Sequence, residues 1–460
     1  MIGYGGRFDK PGELEAAMAV RRAHHGYLDV LIAKSSDTSR PFSFDCGSPF
    51  EIESQLPKES DRRFKVFDHD SDVVQPFERH VSNLQGGYYS DNDMKLPNTR
   101  SLALALLAIA ASVQSVNAAP QPKRATPIDP ITGIVAAFKS YSVVALSEGN
   151  HGNEQGHALR LALIRDPRFA AVANDIVVEF GNSRYQDVMD RFLRGDEVPY
   201  AELRKVWQDT TQTSTVWDTP IYEEFFRAVR AVNASRSAAH RLRVWLGDAP
   251  IDWERVHTAE DISNVGRSDG VPAGIVEREV IAKGRRALVI YGEGHLVRRN
   301  LYWNMKDRDA AQKRFSAPVD TIVTRLEQAG IKVYSISTTF SDTTRMPPEV
   351  ASWPAPTLLR LAGTSLGLAP VTYFNTEIRY FHLPDGTWER VTPDGDRSPR
   401  LQDQFDAILY LGSESSITYS QLPRALCNDP DYVRMRLGRM QIASGPVSES
   451  DRVRLEECER

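Results

Sequence analysis

Cysteine is scarce in this 460-residue chain. There are three, Cys46, Cys427 and Cys458, and no two stand at the short spacing of a zinc site. None is near a cluster of titratable residues, which argues against thiol catalysis. Basic stripes with interleaved aromatics are missing, and the formal net charge is only −5, so nucleic acid is not expected as a partner. No His-Glu-x-x-His pair of a zinc protease occurs, and the stretches GNEQGH and GEGH do not match the dinucleotide fingerprint. The apolar run Ser101 to Val116 is too short and too rich in small residues for a comfortable membrane span.

That run belongs to a pattern in an unexpected place. MKLPNTRSLALALLAIAASVQSVNAAPQPK begins at Met94. Lys95 and Arg100 supply positive charge, the apolar run follows, and small residues before Pro120 offer a cleavage site, which together make a secretory signal. A buried core helix is the alternative. A signal acts at an N-terminus, so Met94 is the expected start, and residues 1–93 are expected to be a mis-assigned upstream extension with no packed structure and no site. Residues 94–119 would be the signal peptide and 120–130 a proline-rich linker. The rest, 131–460, would be a single domain, exported to the periplasm or outside the cell, with no stable membrane anchor. Export would leave Cys427 and Cys458. In an oxidising compartment these can form a disulfide, closing a loop worth about 3 kcal/mol, or they can stay as two unpaired thiols.

Apolar residues make up 41% of the chain, enough for one large core or two smaller ones. Downstream of residue 130, short β-branched runs alternate with helical patterns. SVVALS, NDIVVEFG, RLRVWLG, ALVIYG, IKVYSIST and FDAILYLG read as strands, and the segments between the first five as helices. Residues 341–404 are rich in Pro, Thr, Asp and Gly and read as a loop-rich insertion with a hairpin turned at Asp385–Gly386. The fold class expected is α/β, a mostly parallel sheet flanked by helices with helical insertions.

In such sheets ligands bind at the carboxyl ends of the strands. Four strand ends carry unusual chemistry there. VVALSEGNHG delivers Glu148 and His151, IVVEFG places Glu179, RVWLGDAP delivers Asp248, and LVIYGEGHLVRR delivers Glu293 and His295. The helix after the first strand adds Glu154, His157 and Arg160. Converging carboxylates cost free energy unless cations or protons compensate, a cost that catalytic and metal sites accept. Each residue also has a structural reading. Glu179 can pair with Arg160 as a buried ion pair, Asp248 can cap a helix, Glu154 can favour a helix dipole, His157 can be support, and Glu293 a turn residue.

These residues resemble the erythromycin esterase family, in the wider group that includes the ChaN haem-binding lipoproteins and the Tiki-type proteins. The resemblance runs from about residue 141 to 412. LSEGNHG keeps the Glu148, His151 and Gly152 of its opening motif, with Ser147 where glycine is usual. The expected arginine falls on Arg160, the strand-borne glutamate on Glu179 and the late histidine on His295. Gly292 stands where the esterases usually carry a second histidine.

The resemblance implies a water-activating role for His151. Glu148 or Glu179 would orient it, Arg160 would hold carboxylates or an oxyanion, and His295 would act on the leaving group or carbonyl. A hydrolase of an ester, lactone or amide in a small molecule or peptide needs no cofactor in this reading. In a second, Tiki-like reading, His151, His295, Glu148 and Glu179 bind Zn or Mn and the metal supplies the water. A third, ChaN-like reading makes the chain a haem or iron-compound binder, against which stands the absence of a cysteine at the signal's cleavage site.

Overall fold

The described residues contain the strands β1 (Val143–Ser147), β2 (Asp175–Asn182), β3 (Arg243–Asp248), β4 (Ala287–Tyr291), β5 (Leu301–Trp303), β6 (Val333–Ser341), β7 (Thr357–Arg360), β8 (Ile378–His382), β9 (Trp388–Arg390) and β10 (Ala407–Ser413). Seven of them form one sheet in the order β3-β2-β4-β1-β6-β10-β7. All its pairings are parallel except β10 with β7, which is antiparallel. This is the α/β architecture with a mostly parallel sheet that the alternating pattern predicts. The computed structural model describes residues 121–458, apart from 266–268, 299–300, 304–319, 342–349, 351, 375–377, 383–387 and 391–397. The expected extension 1–93, the signal peptide 94–119 and the turn at Asp385–Gly386 lie outside the described residues. Among the described residues no helix is long and apolar enough to cross a membrane.

β1 and β4 are buried at every position. Strands covered on both faces need apolar side chains on both, and that is why their sequences are continuous apolar runs rather than alternating ones. One face of the sheet presents Val144, Leu146, Val178, Phe180, Leu246 and Ile290 to the helices Glu154–Arg165 and Pro220–Ala234. The opposite face presents Val143, Ala145, Val177, Trp245, Val289 and Tyr291 to the segments Gly270–Ile275 and Ile322–Gln328. The alternation of side chains along each strand divides the core in this way.

Two sequence expectations need correction. The described part of the expected linker 120–130, residues 121–130, is not a free tether: Ile128 exchanges two 2.9 Å backbone hydrogen bonds with Leu358, Lys123 N–H reaches Gly363 O, and Ala125 is buried. Proline denies this stretch a helix but leaves it able to pair with an edge strand. The 341–404 stretch is likewise more than an insertion. It supplies β7 to the main sheet, and Leu359, Leu361, Leu366 and Val371 pack with Ile408 and Tyr410. A four-residue strand set among prolines gives no periodic signal long enough to read. The expected hairpin is there as β8 and β9, antiparallel with Phe381 opposite Glu389, and β5 joins it as a third strand.

Candidate functional site

The loop after β1 is built by its own sequence. Glu148 N–H continues the ladder to Tyr291 O at 2.9 Å. Asn153 caps the next helix, its side-chain oxygen accepting from Gly156 N–H at 2.7 Å, while its amide donates to Glu148 O at 2.7 Å. Gly152 N–H donates to the Tyr222 hydroxyl at 2.9 Å. Gly149 turns with φ +67°, and a Cβ there would sit 3.1 Å from Thr338 O, so both backbone angle and space call for glycine. The helix stops where Pro167 forces Asp166 into extended backbone.

This frame holds Glu148 and His151 together. Glu148 Oε2 is 2.8 Å from His151 Nδ1, and the two side chains are 0% and 3% exposed. Arg160, also buried, reaches Glu148 Oε1 at 3.6 Å. The Trp217 ring meets the His151 ring edge-on, centroids 4.6 Å apart. These groups lie on one side of the strand ends. From the other side come Glu179 and His295: His295 Nε2 is 3.5 Å from Glu179 Oε1, and Glu179 Oε2 accepts from Gly292 N–H at 2.7 Å. His295 Nδ1 is 2.5 Å from Asp269 Oδ1. Glu148, His151 and Glu179 each offer a donor atom within 4.8 Å of the others, so the two halves meet.

Burial alone would raise the pKa of Glu179. His295, His151 and the Gly292 N–H outweigh it and hold the pKa at about 2, so this carboxylate is charged at neutral pH. His157 goes the other way: burial first, then the charge of Arg160, lower its pKa to about 4, which leaves it neutral. Tyr291 ends β4 with its ring 5.5 Å from that of His295. Burial, then the Glu179 charge, push its phenol well above its ordinary range.

Of the residues expected in the site, Glu148, His151, Arg160, Glu179 and His295 come together. Four supporting candidates are engaged elsewhere. Glu154 is exposed and accepts from the Thr418 hydroxyl at 2.6 Å, and His157 Nε2 is 3.1 Å from Glu224. Asp248 holds Thr211 through backbone and hydroxyl, at 2.7 and 2.5 Å, and Glu293 accepts from Ser337 at 2.5 Å. Arg160 pairs with Glu148, not with Glu179. Its burial behind that carboxylate suits holding the carboxylate and does not suit an oxyanion role.

Sequence reasoning missed Asp269, Trp217 and Tyr291. Asp269 sits in a turn and Trp217 in the three-residue 3₁₀ helix Val216–Asp218, neither long enough to show a pattern, and Tyr291 reads as one more apolar strand residue. A further pattern, Gly363-Thr364-Ser365-Leu366-Gly367, matches the G-x-S-x-G spelling of a nucleophile elbow. The structure puts it in a turn after the edge strand β7, with Ser365 exposed and no helix following, so the strand–turn–helix context that elbow requires is absent.

Three of the four expected metal ligands are gathered; His295 is outside that group. The donor set of two carboxylates and one imidazole fits a divalent cation chemically, and the buried Glu148 Oε1 has no hydrogen-bond partner. One imidazole with two carboxylates suits an oxygen-preferring ion such as Mn²⁺ at least as well as Zn²⁺. The Arg160 guanidinium, however, is already the cation beside Glu148 Oε1, and a second positive charge there would meet repulsion.

No known protein family matches the chain, and no curated protein sequence does. Among solved structures, a protein from Bacillus cereus is 12% identical over 71% of this chain and 100% of its own, with a TM-score of 0.36. A succinoglycan biosynthesis protein is 10% identical over 67% of this chain and 97% of its own, with a TM-score of 0.38. An erythromycin esterase mutant in its open conformation is 10% identical over 63% of this chain and 94% of its own, with a TM-score of 0.39. Likenesses of this depth carry no information on chemistry.

Proposed function

We propose that the chain is a hydrolase of an ester, lactone or amide bond, with His151 as the general base. The observation that carries this reading is the buried Glu148–His151 pair, 2.8 Å from Oε2 to Nδ1. A carboxylate on Nδ1 fixes the imidazole with Nε2 as the atom that takes a proton and stabilises the imidazolium that forms. Water at Nε2 loses its proton to His151 as its oxygen bonds to the substrate carbonyl carbon. His295, held by the charged Glu179, then gives a proton to the leaving oxygen or nitrogen as the carbon–heteroatom bond breaks. Proton exchange with solvent resets both rings. Glu179 and His295 keep 17% and 14% of their side-chain surface exposed, which supports substrate entry on their side of the pair.

The test is a screen of chromogenic esters, lactones and peptides with the full chain and its His151→Ala variant. Hydrolysis by the wild type that the variant lacks supports the reading; equal hydrolysis by both refutes it. The clustering of Glu148, His151 and Glu179 favours one second reading, in which a divalent cation supplies the activated water. Elemental analysis, with activity before and after chelation, separates the two: full activity in metal-free protein leaves the histidine base alone.

A further inference from the structure

The strongest relationship in the site that the proposed mechanism does not use is that of Asp269 with His295. Asp269 stands at the N-cap of the segment Gly270–Ile275, where an aspartate ordinarily accepts a hydrogen bond from a backbone N–H of the first turn. Here its side chain makes no cap bond. It turns instead to His295, its Oδ1 2.5 Å from the ring Nδ1, with only 11% of its side chain exposed. The same ring is braced edge-on by Tyr291, and its other nitrogen faces Glu179 at 3.5 Å. A buried carboxylate spent on one specific ring nitrogen is what fixing an imidazole requires.

We propose that Asp269 is a positioning residue for His295: it accepts the Nδ1–H hydrogen bond whether the ring is neutral or charged, so that Nε2 is the nitrogen that carries the transferable proton toward Glu179 and a bound substrate. The site then works with two carboxylate-oriented histidines, Glu148 with His151 and Asp269 with His295, which meet at Glu179. This inference rests on the hydrolase reading for its catalytic consequence, but the tautomer it assigns does not depend on any substrate.

Histidine-selective ¹⁵N labelling of the full chain, with the His295 signals assigned by their loss in His295→Asn, reads the protonation of Nδ1 directly. The expected result is a protonated Nδ1 in the wild type. In Asp269→Asn the amide can donate to the ring, and Nδ1 should become the unprotonated nitrogen. On a chromogenic ester that the wild type cleaves, the variant should lose at least about tenfold in kcat with KM little changed. An unprotonated Nδ1 in the wild type overturns the proposal, and that measurement stands even if the variant fails to fold. So does a folded Asp269→Asn with wild-type kcat. If His151→Ala cleaves the same ester as fast as the wild type, the hydrolase reading fails, whereas the wild-type Nδ1 signal still decides the role of Asp269.

Discussion

Glu148 Oε2 lies 2.8 Å from Nδ1 of His151, three residues along the same loop, and neither side chain meets solvent appreciably. Such a pair has one favourable arrangement, with the ring N–H donating to the carboxylate. Glu148→Gln keeps the shape but allows an amide N–H to face Nδ1, which favours the wrong ring tautomer. It also leaves Arg160 without its buried anion. We expect kcat on any hydrolysed substrate to fall by roughly 10²–10⁴ and stability to drop by about 3 kcal/mol or more. Steady-state kinetics with urea unfolding of the same sample checks both; wild-type kcat in a folded variant contradicts the assignment.

Stability should respond to acid in two stages. His157 has a folded pKa of about 4 against an ordinary 6.5, so the native state binds fewer protons than the unfolded chain between those values. It withdraws stability as pH falls from 6.5 to 4, on the order of 3 kcal/mol. Glu179, at about 2 against an ordinary 4.5, contributes stability that is present above 4.5 and lost as pH falls toward 2. Denaturant unfolding across pH 7 to 3 should show both limbs, and His157→Gln should flatten the upper one. An upper limb unchanged in that variant would refute the first half.

Much of this arrangement was legible in the sequence, and what was not has physical reasons. Six strands of the main sheet and the residues Glu148, His151, Glu179 and His295 follow from apolar runs that end in polar residues, and Arg160 from the helix after the first of them. β7 escaped because four residues among prolines carry no period. Asp269 escaped because a loop aspartate before glycine reads as a turn or cap, and only tertiary contact turns it toward His295. Glu154, His157, Asp248 and Glu293 sit at the right ends of the right elements. Proximity along the chain cannot tell a site residue from one satisfied by Thr418, Glu224, Thr211 or Ser337.

Gly247 on β3 makes room for Tyr291. A Cβ on Gly247 would stand 2.0 Å from the tyrosine hydroxyl and 2.9 Å from Val178 O. Gly247→Ala should therefore cost about 1–3 kcal/mol through overpacking. The Tyr291 hydroxyl is buried without a hydrogen-bond partner, so Tyr291→Phe should be close to neutral in stability and should recover part of the Gly247→Ala loss. A double-mutant cycle by thermal unfolding tests this, and strict additivity would contradict it.

The helix Pro430–Ser444 supports the site from outside. Cys427 and Cys458 form a disulfide across it, 31 residues apart. Arg436 makes a buried pair with Asp218, next to Trp217, and Arg439 donates to Gln208 O at 2.8 Å and to Asp209 at 2.6 Å. Replacing both cysteines by serine should cost about 3–4 kcal/mol. Arg436→Ala should cost about 3–5 kcal/mol by leaving the Asp218 charge buried with the Tyr432 hydroxyl but without its cation, and should lower activity through the Trp217 contact with His151. Thiol counting under denaturing conditions checks the bond, and two free thiols among these positions would contradict it.

In the proposed reaction the imidazole of His151 takes the proton of the attacking water. The most direct measurement of this role is the hydrolysis rate of the His151→Ala chain with and without added imidazole. The substitution should lower kcat by roughly 10²–10⁴, and millimolar imidazole should restore part of the loss in the variant while leaving the wild type unchanged. Hydrolysis by the variant at the wild-type rate, with no imidazole added, would contradict that role.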